Sequence, residues 1–116
     1  MKRDYRDYIQ DIISGIDDIS EFTKSQTYDD FMKDKKTINA VIRCLEVIGE
    51  AAKKIPVELK TRYDDIPWKM MSGMRDKLTH EYFGVDLKIV WAVVTSEIPP
   101  IRPLMDIIIK EINQEI

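Results

Sequence analysis

Hydrophobic residues recur every three or four positions along most of the chain, the spacing that places them on one face of an α-helix. In the N-terminal part they are Tyr5, Tyr8, Ile9, Ile12, Ile13, Ile16, Ile19 and Phe22. This pattern predicts a first helix over residues 3–23. The intervening positions are rich in aspartate, so the outward face of this helix is acidic.

The same periodicity continues through residues 28–55 and predicts one long second helix. Thr27 or Asp29 can cap its start by accepting bonds from free backbone N–H groups, and Pro56 sets its end. Gly49 stands near its C-terminal end, just before two alanines. Because these residues are small, we expect a close helix crossing there.

The C-terminal half contains shorter helical runs separated by prolines and glycines. The pattern predicts a short helix over 57–63, a helix that begins near Trp68 and ends at Gly84, and a helix over 87–98 capped by Asp86. Pro99, Pro100 and Pro103 interrupt the chain before a final amphipathic helix that ends near residue 115.

No stretch alternates with the period of two that a strand requires. The expected architecture is therefore all-α: an up-and-down bundle of four long helices plus one or two short ones, forming a single domain over residues 1–116.

The formal net charge of −3 argues against a generic basic nucleic-acid binder. The charge is uneven, however, and residues 31–62 carry a net +4. Their basic side chains either offer a surface to phosphate or are ordinary solvated helix faces. They are Lys33, Lys35, Lys36, Arg43, Lys53, Lys54, Lys60 and Arg62.

The single cysteine, Cys44, allows no intramolecular disulfide and no zinc site built on several thiolates. No signal peptide or membrane-spanning run is visible, so we expect a cytoplasmic protein without a membrane contact. Trp68 and Trp91 lie in apolar helical runs and are expected in the core. Nothing in the sequence calls for a cofactor.

Residues 74–86, MRDKLTHEYFGVD, hold the only histidine, His80. Arg75 precedes it by five positions, about 140° around a helix of ~3.6 residues per turn. Both could still border one groove. Asp76 lies one turn before His80, where its carboxylate can accept a proton from one imidazole nitrogen and leave the other free to act.

This set is sufficient for RNA cleavage. A histidine can take the proton of an RNA 2′-hydroxyl while an arginine donates to the phosphate oxygens, and the reaction requires no metal. The alternative is structural: a histidine at a helix end, a surface arginine, and Tyr82 and Phe83 filling the bundle.

The segment RDKLTHEY resembles the R-x4-H-x-Y signature of the HepT-like family, within the wider HEPN class of helical domains. The stretches at 38–56, 66–76 and 80–91 are similar to family blocks in order and spacing, so the resemblance covers most of the chain.

The resemblance implies a metal-independent endoribonuclease, the toxin of a type VII toxin–antitoxin pair. It implies a homodimer whose motifs face each other across a cleft, with Arg75 and His80 as the catalytic pair. Asp76 stands where the family carries a polar residue, often asparagine, and is a supporting residue. Tyr82 matches the tyrosine to which a minimal nucleotidyltransferase (MNT) antitoxin adds AMP.

Two alternatives stay open at this stage. The chain could be a non-catalytic docking partner of a nucleotidyltransferase, or a purely structural helical dimer in which the motif forms a dimer contact.

Overall fold

A computed structural model describes residues 3–80 and 86–114, except for the side chains of residues 75–80. Within these ranges the regular secondary structure is entirely helical, with turns between the helices and no strand. The helices are α1 (Tyr5–Thr23), α2 (Tyr28–Lys33), α3 (Lys35–Lys54), α4 (Val57–Arg62), α5 (Trp68–His80), α6 (Leu87–Ala92), a π-helix (Val93–Glu97) and α7 (Ile101–Gln114). The predicted all-α bundle is confirmed.

Helix α3 lies at the centre of the bundle and packs against both α1 and α5. Its buried face consists of the residues that the periodicity selects, among them Ile38, Val41, Leu45 and Ile48. Helix α1 crosses α3 so closely that a Cβ built on Gly15 would lie 2.7 Å from Cγ1 of Ile48. The close crossing therefore occurs at Gly15, beside the region of Gly49 that the sequence indicates.

The prediction of one continuous helix over residues 28–55 is wrong, because the chain breaks at Asp34 into α2 and α3. The Asp34 carboxylate accepts bonds from the backbone N–H of Thr37 at 3.0 Å and from its hydroxyl at 2.6 Å. It thereby caps α3, an arrangement that competes with an unbroken helix. Thr27, rather than Asp29, caps α2.

Two further expectations need correction in the C-terminal part. Pro103 does not interrupt the chain before the last helix, since it lies in the first turn of α7, where no backbone N–H donor is needed. The helix predicted over 87–98 changes at Val93 into a π-helix, in which the N–H of Ile98 donates to the carbonyl of Val93. The Thr95 hydroxyl donates to the carbonyl of Trp91, which perturbs the regular helical pattern there.

The long axis of the described structure measures 46 Å and the two short axes 29 Å each. The core is apolar, and no polar or charged residue of the described part is classed as buried. Trp68 is buried and Trp91 packs half-buried against this core, as predicted. Among the described helices, none is long and apolar enough to cross a membrane.

Candidate active site

Helix α5 carries the predicted catalytic motif, and its start is fixed by hydrogen bonds at one end of the bundle. The indole N–H of Trp68 donates to the carbonyl of Tyr63 at 3.0 Å. The Tyr63 hydroxyl in turn donates to the carboxylate of Glu111, near the end of α7. Burial, together with this bond, raises the pKa of Tyr63, so the phenol stays protonated and keeps donating.

The course of helix α7 shows how the end of the bundle where α5 starts is related to α1 and α2. Near its start, the guanidinium of Arg102 contacts Asp17 in the second half of α1 at 2.8 Å. Helix α7 therefore starts near the end of the bundle where α1 leads into α2. It ends near the start of α5. We call these two ends of the bundle the α2 end and the α5-start end.

The chain that follows α5 returns to α2. Trp91 of α6 packs against Phe31 and Tyr28 of α2, with ring centroids 5.1 Å and 6.4 Å away. His80 and Leu87 are seven positions apart and can be separated by at most about 25 Å. Helix α5 follows α3 after the short α4 and packs along it, so that in an up-and-down bundle it runs back from the C-terminal end of α3 and its last turns point toward the α2 end.

The backbone of α5 places three of the four predicted site residues on consecutive helical turns. Arg75, Asp76 and His80 all lie within Trp68–His80, while their side chains are outside the described part. Asp76 and His80 are one turn apart, and Arg75 is displaced from His80 by ~7.5 Å along the axis. The Asp76–His80 contact remains a prediction, and Tyr82 lies outside the described residues.

Two surface cavities elsewhere involve no residue that the sequence singled out as catalytic. One, of about 420 Å³, is lined by α1, the π-helix and the start of α7, and its charged groups Asp17 and Arg102 already form an ion pair. The other, of about 330 Å³, lies between α1 and α3, where Arg3 pairs with Asp11 at 2.8 Å. Both cavities are lined by acidic and basic side chains, and ion pairs form within each lining.

The acidic pair on α3, Glu46 and Glu50, takes part in ion pairs along the helix. Glu50 lies 4.0 Å from Lys54 and Glu46 lies 4.0 Å from Arg43, both as helical ion pairs. Within the described part of the chain, no three histidine, cysteine or carboxylate side chains come together as metal ligands.

Sequence reasoning missed the contacts that orient α5. Tyr63 and Glu111 are separated by 48 positions, and neither belongs to a motif. The short spacing between Tyr63 and Trp68 gave the one available signal, because a tryptophan N–H buried in a turn needs a nearby acceptor.

The structure is an all-α helical domain that carries an R-x4-H sequence in the last turns of α5. Comparison with known proteins is more specific. The family model "Ribonuclease HepT-like" matches residues 12–108, and the chain belongs to this family.

Curated relatives cover nearly the whole chain. Two proteins of Methanocaldococcus jannaschii that carry the name "Putative RNase" are 49% and 50% identical to it, over 98% and 97% of this chain and 98% and 93% of their own. A protein of Thermococcus cleftensis named "Probable ribonuclease HepT" is 50% identical over 88% of this chain and 93% of its own. No solved structure matches the chain at a significant level.

Proposed function

We propose that the protein is a metal-independent endoribonuclease, the toxin of a type VII HepT/MNT toxin–antitoxin pair. The observation that carries the proposal is the intact R-x4-H-x-Y segment, residues 75–82, within a chain of the HepT-like family. The family match spans the motif, and the relatives named as ribonucleases cover almost the entire chain.

In the proposed reaction, His80 removes the proton from an RNA 2′-hydroxyl, whose oxygen forms a bond to the adjacent phosphorus. The bond from phosphorus to the 5′-oxygen breaks, and the leaving oxygen takes up a proton. The products are a 2′,3′-cyclic phosphate and a 5′-hydroxyl. Arg75 donates to the phosphate oxygens as their charge builds, and Asp76 orients the imidazole of His80.

Two copies of the chain would form the working cleft. On a single helix Arg75 and His80 are about 140° apart, so one chain does not hold them on a strict common face. A homodimer with α5 helices facing each other would place a guanidinium and an imidazole on both walls of one groove. It would also double the local positive field that attracts RNA, although the whole chain is acidic.

Tyr82 is the residue through which the MNT antitoxin would inhibit RNA cleavage. Its hydroxyl would attack the α-phosphorus of ATP on the MNT antitoxin, forming a tyrosyl–AMP ester and releasing pyrophosphate. The bulky, anionic AMP beside the cleft would then exclude RNA by charge and by size.

The test of the catalytic roles uses purified wild-type protein and the Arg75→Ala and His80→Ala variants. Wild type should cleave RNA in the presence of EDTA and arrest growth on expression, and both variants should lose at least about 100-fold in rate, the typical contribution of a positioned general base. Undiminished cleavage by pure His80→Ala protein would overturn the assignment.

The test of control is co-expression with a minimal nucleotidyltransferase, sought as a small open reading frame next to this gene. The wild-type chain should gain the mass of AMP, and Tyr63→Phe should gain it as well, because Tyr63 is buried and bonded to Glu111. Tyr82→Phe should not. Persistence of the mass shift in Tyr82→Phe would show that the acceptor is another residue.

A non-catalytic docking role is the second candidate, and Asp76 favours it, because a carboxylate beside the motif repels RNA phosphate. An unmodified dimer that binds the transferase tightly and cleaves no RNA would support this role instead.

A further inference from the structure

Apart from Arg43, which pairs with Glu46 within α3, the basic side chains of residues 31–62 divide into two groups at opposite ends of the bundle. Lys33, Lys35 and Lys36, here called the lysine cluster, lie where α2 ends and α3 begins, and all three are exposed. Lys53, Lys54, Lys60 and Arg62 lie at the ends of α3 and α4, next to the start of α5.

The second group has a structural explanation. Its members occupy the last turns of α3 and α4, where the negative end of each helix dipole favours cations. Lys54 pairs with Glu50 at 4.0 Å, Arg62 stacks at 6.0 Å from the ring centre of Tyr63, and Lys53 also has an interaction partner. These charges stabilise the fold where they stand.

The lysine cluster is explained only in part, because Lys33 alone stands in the last turn of a helix, α2, where the dipole favours a cation. Lys35 and Lys36 occupy the first turn of α3, the positive end of the helix dipole, where acidic residues are preferred and α3 has none. Among the described residues, no carboxylate lies within ion-pairing distance of the three ammonium groups. Asp34, between them, accepts capping bonds from Thr37 and a bond from Gln26 at 2.9 Å, and its charge interaction with Lys36 is weaker than these bonds. Lys35 and Lys36 are thus held at the end of α3 that disfavours cations.

The position of the cluster connects it with the proposed active site. Helix α2 precedes α3 directly and packs on α6, and α5 points its last turns toward this same end of the bundle. The lysine cluster and the segment from Arg75 to His80 therefore lie at one end, and the structurally explained group lies at the other.

We propose that the lysine cluster binds the phosphates of the RNA strand that flank the bond cut at Arg75 and His80. This inference rests on the proposed ribonuclease function. Lysine is suited to the role, because a flexible stem carries a compact charge that contacts phosphate without reading sequence. Contacts outside the chemical step would raise affinity and leave the cleavage rate of bound RNA unchanged.

The experiment compares two triple variants with the same change in net charge. Lys33→Gln/Lys35→Gln/Lys36→Gln removes the cluster, and Lys53→Gln/Lys54→Gln/Lys60→Gln is the matched control from the opposite end. Each is measured for kcat and KM on single-stranded RNA at several salt concentrations. Binding of a labelled single-stranded RNA of mixed sequence is measured by anisotropy in the His80→Ala background.

Removal of the cluster should raise KM and Kd on the order of tenfold or more at ~0.1 M salt, with kcat unchanged. The slope of log Kd against log salt should fall by about 2, since each phosphate contact on a single strand contributes about 0.7. The control should change Kd only a few-fold and leave the slope intact. The cluster variant should melt close to wild type, because Lys35 and Lys36 oppose the α3 dipole while Lys33 favours the α2 dipole.

Equal effects of the two triple variants, or an unchanged slope in the cluster variant, would overturn the inference even if wild type cleaves RNA. Loss of binding to a protein partner with RNA affinity retained would overturn it as well. If wild type cleaves no RNA, the proposed function fails separately, and the anisotropy comparison still decides whether the cluster binds RNA.

Discussion

At the residue scale, Asp34 shows how one side chain ends a helix that the hydrophobic periodicity alone would continue. The hydrophobic periodicity on both sides of it is continuous, and for that reason the sequence predicts one helix. Its carboxylate accepts from the backbone N–H and the hydroxyl of Thr37 and from the amide of Gln26. These local bonds end α2 and start α3, and periodicity alone contains no information about them.

The same bonds make stability depend on pH. They lower the pKa of Asp34 below its ordinary value of 3.8. The stabilisation is therefore present above about pH 4 and is lost as pH falls through the lowered pKa. Denaturant unfolding at pH 6 and pH 3 should show a smaller loss of stability in Asp34→Asn than in wild type. Identical losses in the two proteins would show that the capping charge contributes nothing.

At the element scale, the sequence predicted most of the helices and little of their contacts. The spacing of apolar residues is set by each helix's own buried face, so α1, α3, α5 and α7 were predictable. The π-helix includes a hydroxyl bond from Thr95 to the carbonyl of Trp91, and the chain just before α5 is bonded to α7 through Tyr63 and Glu111, which are distant in sequence. Such contacts do not affect the spacing of apolar residues, so the sequence pattern could not predict them.

The crossing of α1 and α3 gives a test at this scale, with a glycine in another helix as control. A Cβ at Gly15 would meet Cγ1 and Cδ1 of Ile48 at 2.7 and 3.0 Å, whereas at Gly73 it would meet nothing within 4 Å. Overpacking costs about 1–3 kcal/mol, and alanine gains about 1 kcal/mol over glycine in a helix.

We therefore expect Gly15→Ala to be less stable than Gly73→Ala by about 2 kcal/mol, as measured by denaturant unfolding. Gly73→Ala should equal or exceed wild type. A Gly15→Ala protein more stable than wild type would mean that the two helices are not held at this distance.

At the scale of the whole molecule, the bundle has two chemically different ends. One end is closed by structural bonds: Tyr63 to Glu111, Trp68 to Tyr63, and basic side chains at helix C-termini. The other end of the bundle carries the exposed lysine cluster, and the last turns of α5 point toward it. The sequence supplied the candidate residues Arg75, Asp76, His80 and Tyr82, but the topology was needed to relate them to the lysines of a different helix.

The most direct test of the central proposal is the chemistry of the RNA ends that the purified protein produces in excess EDTA. Attack by a 2′-hydroxyl, with His80 as base, predicts 2′,3′-cyclic phosphate and 5′-hydroxyl ends and none of these products from His80→Ala. Ends that carry a 3′-hydroxyl and a 5′-phosphate, or cyclic phosphate formed equally by His80→Ala, would contradict the account.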